Sequence, residues 1–252
     1  MNHDITSYGN IISCIFYVRA SGSEEQHYIT YTLSYSLAID SLGTTLASAS
    51  NKETIMSEQH QHPSDKTSSV IVPPRLVRNT QSSNPDDDLE CSLHHLPKPL
   101  LREFGHVFNN EHERFGSNNN NNNMHLLAIP TNQRAREDLV AVGDHIEAEK
   151  DRLLNVFLTF GKCICEQLRS QGYWADYIDP CSGLPMISLN CNKVYSEVDG
   201  MECLLNYKAY NAGFCKILTH PKWGSSVYPA TIFAYAPVEV AKSLMASFPT
   251  AS

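Results

Sequence analysis

Cys215 and His220 stand five residues apart on a stretch that reads as a strand, and a thiol within reach of an imidazole is the makeup of a cysteine nucleophile and its base. Alternation along a strand sends residues an odd number apart to opposite faces, so the pair needs a bend between them. No acidic third member is evident, and a structural histidine is the competing account. A second candidate lies in the run Tyr173-Trp174-Ala175-Asp176-Tyr177-Ile178-Asp179-Pro180, where Asp176 and Asp179 could act as acid and base. Asp-Pro pairs begin turns for the same reasons of local hydrogen bonding, so we prefer Asp179 as a turn residue and Asp176 as solvated or capping a neighbour. His94 with His95, and His60 with His62, offer imidazoles to a metal, against the plainer reading of solvated histidines. The acidic run at 85–88 divides the same way, between a metal-binding loop and a solvated lead-in, and we take the second.

The eight cysteines (14, 91, 163, 165, 181, 191, 203 and 215) show no C-x₂-C spacing. Cys163 and Cys165, two apart on a helix, point to different faces. The chain of 252 residues is too large to need disulfide staples, and Arg19, the only basic residue among the first fifty, follows the apolar run rather than preceding it as in a secretory signal. We therefore expect mostly reduced thiols in an intracellular protein. A formal net charge of −8 argues against nucleic acid and anionic membrane surfaces as partners. No apolar run approaches the ~20 residues of a membrane helix. There is no G-x-G-x-x-G, Walker loop, H-E-x-x-H or G-x-S-x-G.

Elements must position these groups. Residues 1–83 are rich in Ser, Thr, Tyr and Gln and poor in large aliphatics after Leu46, which predicts a disordered arm, with targeting left open. Residues 84–252 form the expected domain. Pro97 to Phe108 carries apolar residues at helical spacing, and six asparagines at 118–123 mark a surface loop. Met124 to Ile129 reads as a short strand stopped by Pro130. Asp144 to Gln171 is the central helix, with Asp144 as its cap, Gly161 as a point for a break and Gly172 as the left-handed exit. Strands follow at Tyr173–Ile178, from Leu184, at Phe214–Thr219 and at Val227–Tyr235, before a closing helix Val238–Phe248. Asp199 falls in a loop, Glu197-Val198-Asp199-Gly200. Helices and strands are segregated, which predicts an α+β fold rather than a doubly wound nucleotide-binding sheet.

GYWADYIDPCSGLP (172–185), followed by GFCKILTHPKWGSS (213–226), resembles the methylmalonic aciduria and homocystinuria type D family, the cobalamin trafficking proteins of the cblD group. The resemblance runs from about Glu90-Cys91 to the closing strands. It implies a nitroreductase-like α+β fold without a flavin site, and an adaptor or chaperone rather than an enzyme. It further implies binding to the cobalamin-processing protein cblC, and direction of cobalamin to methionine synthase in the cytoplasm and methylmalonyl-CoA mutase in the mitochondrion. In the family a cysteine thiolate coordinates the cobalt of cobalamin held by cblC. Many relatives have two adjacent cysteines at that strand start, whereas this chain has Phe214-Cys215, so Cys215 is the implied ligand. A soft thiolate suits cobalt and must be deprotonated to bind. Lys216 turns to the other face of the strand and is not credited with lowering the thiol pKa. Asp199 matches a position that matters in the family for the cytosolic branch, and Trp174 and Asp176 belong to the aromatic turn that carries the match. No cofactor is expected on the chain alone. The rival from another class is a flavin- or thiol-dependent oxidoreductase on the same scaffold.

Overall fold

The computed structural model describes residues 69–82, 84–109, 115, 123–212 and 215–251. Most of the proposed arm, the histidines at 60 and 62, and the asparagines at 118–122 lie outside the described residues. In chain order the elements are strand β1 (Val70–Val77), a 3₁₀ turn (Pro85–Asp87), β2 (Leu89–His95), helix α1 (Lys98–Val107), β3 (Met124–Arg134), α2 (Asp144–Ser170), β4 (Trp174–Tyr177), α3 (Glu197–Leu205), β5 (Lys208–Ala212), β6 (Cys215–Thr219), β7 (Val227–Pro237) and α4 (Val238–Ser247).

Five strands form one sheet in the order β1-β2-β3-β7-β4, and every pairing is antiparallel. Strand alternation gives this sheet two apolar faces. On one, Leu127 and Ile129 of β3 meet Phe157, Phe160, Ile164 and Leu168 of α2, with Leu244 and Met245 of α4 beside them. On the other, Ala128 and Phe233 meet Leu100, Phe104 and Phe108 of α1 and Leu204 of α3. The result is three layers with mixed α and β content, two helices on each face of the sheet among the described residues. Strands β5 and β6 stand apart as a two-stranded antiparallel sheet in which Ala212 pairs with Cys215 and Lys208 with Thr219.

Several expectations change. The ordered domain starts before residue 84, because Val70–Val77 is the edge strand and Val77 is fully buried. Pro73 and Pro74 hid it: proline is confined to edges and bulges, and here both fall where the register to β2 shifts between Val72 and Arg75. The C-terminal segment covers this edge, with Arg78 N–H donating to Pro249 O and Ala251 N–H to Leu76 O. Pro130 does not stop β3. The ladder to β7 continues through Pro130 and Thr231, while the ladder to β2 pauses between Ala128 and Thr131, where a missing N–H costs least.

Helix α2 runs unbroken through Gly161, whose bare Cα admits the Tyr177 ring; an added Cβ would sit 3.0 Å from that ring. Gly143, not Asp144, takes the cap position, and Gly172 supplies the positive φ at the exit. From Leu184 there is only a single bridge, Ile178 to Pro185, in place of a strand. The acidic run is only partly solvated: Asp86 is exposed, Asp88 half-buried and Asp87 buried. Asp86 pairs with Arg136 at 2.9 Å, Asp87 with Arg152 at 2.5 Å and Asp88 with Arg78 at 3.4 Å. No helix among the described residues is long and apolar enough to cross a membrane.

Candidate functional site

Asp199 sits in helix α3 rather than in a loop. Ser196 caps that helix, its Oγ accepting from Asp199 N–H at 3.3 Å. A serine followed three residues later by an acid is the local signal that could have announced this start. Helical spacing then puts Asp199 and Glu202 on one face, and the Lys216 ammonium reaches both carboxylates, Asp199 Oδ1 at 2.5 Å. Partial burial pushes the Asp199 carboxyl up, but hydrogen bonds from Lys216 and Ser196 outweigh it and hold the group below its ordinary value. Next on the strand, Leu218 packs with Met201 of α3 and with Val227. Lys216 and Leu218 thus mark the α3-facing side of β6, and alternation turns Cys215, Ile217 and Thr219 to the opposite side.

Cys215 therefore lies at the tip end of the hairpin, half-buried, with the charge of its neighbour Lys216 spent on α3. Cys91, Cys163, Cys165, Cys181 and Cys203 are free thiols. The expectation of mostly reduced thiols holds for these five. Burial also pushes the Cys181 thiol up to about 11, and Cys91 and Cys165 higher still, so none of these three is a ready thiolate.

His220 takes no part in cysteine chemistry. Five residues of strand separate it from Cys215 by about 16 Å. Its Nδ1 accepts from the backbone N–H groups of Lys222 and Trp223 at 3.1 and 3.2 Å, so Nε2 carries the proton and donates to Glu90 Oε1 at 3.2 Å. The ring stacks on Trp223, centroids 3.9 Å apart, and meets Tyr207 edge-on. Glu90 is the acidic member that spacing could not reveal, 130 residues away in β2.

The Asp176 and Asp179 pair also dissolves. Asp176 is fully buried and accepts from the N–H groups of Tyr177, Ile187 and Ser188 at 2.7–2.9 Å, so it anchors the excursion that follows β4 and is neither solvated nor able to touch a partner. Asp179 holds the turn, accepting from Cys181 N–H and Ser182 Oγ. Trp174 is half-buried, edge-on to Phe104 and Phe108 at 5.5 and 5.2 Å. His94 is buried against Ser92, and burial lowers its pKa to about 4, while His95 meets His125 edge-on. Among the described residues no group of three or more His, Cys, Asp or Glu is arranged to hold a metal.

Fold and site together define a three-layer mixed α and β protein that presents one sulfur on a hairpin tethered by polar contacts. The model of the methylmalonic aciduria and homocystinuria type D protein family matches residues 20–245. The chain is 31% identical over 148 residues to the rat cobalamin trafficking protein CblD, covering 59% of this chain and 47% of the relative. To the chicken protein of that name it is 28% identical over 201 residues, 80% of this chain and 64% of the relative. The human protein gives 30% over 148 residues, again 47% of its length. The aligned part thus spans about half the length of the mammalian relatives. This chain belongs to the methylmalonic aciduria and homocystinuria type D protein family.

Proposed function

We propose that this protein is a cobalamin trafficking adaptor without turnover of its own, which binds a cblC-type processing protein and directs the cofactor toward methionine synthase and methylmalonyl-CoA mutase, in the cytoplasm and the mitochondrion. The observation that carries this reading is the family match over residues 20–245, which takes in the hairpin and Cys215. In this reading the fold is a nitroreductase-like scaffold that has lost its flavin role, and Cys215 supplies a thiolate to the cobalt of cobalamin held by the partner.

The chemistry sets one condition. The ligand is a thiolate, so Cys215 must be a reduced thiol before it can bind cobalt. The Cys215 thiol then loses its proton as the sulfur–cobalt bond forms. Ligation is accordingly favoured by reductant and by pH rising toward the thiol pKa, near ~8.5 for an unperturbed cysteine.

The test mixes reduced protein with cobalamin-loaded cblC and records the visible spectrum and the size of the complex. Wild-type protein should form the complex and a thiolate–cobalamin spectrum. Cys215→Ser should form the complex without that spectrum, because a hydroxyl is harder and far less acidic. Cys181→Ser should retain it. A Cys215→Ser spectrum equal to wild type would remove the ligand assignment. A yellow colour that survives gel filtration would favour the oxidoreductase instead.

A further inference from the structure

The two feet of the hairpin end on one atom. Tyr207, the residue before β5, donates its hydroxyl to Glu90 Oε1 at 2.6 Å, and His220, the residue after β6, donates Nε2–H to the same oxygen at 3.2 Å. Glu90 and His220 are both buried, at 9% and 4% exposure, so these bonds form where water competes poorly. Asn132 faces Glu90 across the β2–β3 ladder, is also buried, and its side-chain amide has no hydrogen-bond partner among the described residues. Among the described residues, the side-chain donors to Glu90 are Tyr207 and His220, both at the feet of the hairpin.

Among the described residues, the hairpin has few other side-chain bonds to the rest of the domain. Its strands pair only with each other, and Lys208, Tyr210, Asn211 and Ala212 are exposed. Leu218 is its one buried apolar residue among those described, and the Lys216 contact with α3 is open to solvent. Desolvation pushes the Glu90 carboxyl up, yet the hydrogen bonds from His220 and Tyr207 together bring it below its ordinary value, so the pin is an ionised acceptor. Charge-assisted bonds of this kind are the stronger and more directional class.

We propose that Glu90 is a positioning residue for Cys215, a single buried carboxylate that fixes both feet of the hairpin to strand β2 and so sets the direction in which the hairpin presents its sulfur. The proposal rests on the reading of Cys215 as cobalt ligand, and it acts through the hairpin rather than by contact with the cofactor. Tyr207 and His220 serve the same end, with Lys216 as a weaker latch nearer the tip.

The test uses the full chain and two readouts. Backbone hydrogen exchange is measured on the protein alone, and the rate of the thiolate–cobalamin spectral change is measured after mixing with cobalamin-loaded cblC. Tyr207→Phe keeps the ring against His220 and removes one bond; it should raise exchange within residues 208–219 several-fold and leave helix α2 unchanged. Glu90→Ala should raise hairpin exchange by about tenfold or more and slow the spectral change in proportion. Glu90→Gln, which keeps an acceptor oxygen, should restore most of the protection. Hairpin exchange equal to wild type in both Tyr207→Phe and Glu90→Ala would overturn the proposal, as would loosening spread evenly over the whole sheet. A wild-type protein that forms no thiolate spectrum, but whose hairpin loosens in the variants, would overturn the ligand reading and leave Glu90 as the pin of the hairpin alone.

Discussion

The α2 face of the sheet and the β5–β6 hairpin are held by different physics. Against α2, Phe157, Phe160, Ile164 and Leu168 bury completely on Leu127, Ile129, Ile232 and Ala234. That attraction is large, and it is nearly indifferent to direction. Among the described residues, the hairpin buries Leu218 and is bonded to the rest of the domain by Tyr207 and His220 at its feet and Lys216 near its tip. Such contacts add little to global stability, but each demands a particular angle and distance. Stability and orientation are thus assigned to separate parts of one domain, and Cys215 lies on the part governed by orientation.

Substitutions on the two sides should then differ in kind as well as in size. The largest effect is expected at the core: Phe157→Ala should cost about 3–5 kcal/mol, read as a lower denaturation midpoint. It should also lower the melting temperature by about 10 °C. Hairpin exchange should rise no more than exchange elsewhere. A melting temperature within a degree of wild type would break the comparison at its stronger end.

Trp174→Ala should cost about 2 kcal/mol, because the half-buried indole gives up edge contacts with Phe104 and Phe108 while part of its surface is already in water. An unchanged midpoint would move Trp174 from the aromatic cluster to the surface. Loss of cblC binding with unchanged stability would make it an interface residue.

Glu197 sharpens the comparison through pH. Its carboxyl is buried at the start of α3 and accepts from Thr231 N–H and Oγ, yet desolvation still pushes its pKa up to about 8. Between roughly pH 4.5 and 8 the folded state keeps a proton that the unfolded state has released. Stability attributable to this group therefore falls as pH rises, by up to about 1.4 kcal/mol per unit, and levels off above the folded pKa. Glu197→Gln should flatten that slope and gain on wild type from pH 5 to pH 8 in urea unfolding. Parallel curves for the two proteins would show that the acid is already ionised.

The smallest change in stability should come from Lys216→Ala, less than about 1 kcal/mol, since the pair is exposed. Its signature should be local, in exchange near residues 215–219, and it should weaken with salt in wild type. An effect on melting as large as that of Trp174→Ala would mean that the hairpin contributes to global stability after all.

The sequence by itself determined the elements whose information is local. Helices α1, α2 and α4 follow from apolar spacing, Gly172 from the need for positive φ, and the turn at Asp179-Pro180 from the hydrogen bonds an aspartate makes with its own following residues. The motifs around Trp174 and Cys215 pointed to the family without any coordinates. Tertiary structure alone decided the rest. Strand β1 carries two prolines and shows its identity only by pairing with β2, and β5 is too short and polar to announce itself. Asp176 reads as a surface acid until three backbone N–H groups close around it, and the ion pair of Asp199 appears only when strand β6 brings Lys216 to helix α3. Glu90 lies 117 residues from Tyr207 and 130 from His220, and no spacing rule spans such separations. A side chain's neighbours along the chain set its backbone, but its charge, partners and role are set by whatever the fold brings within 3 Å, which only long-range packing decides.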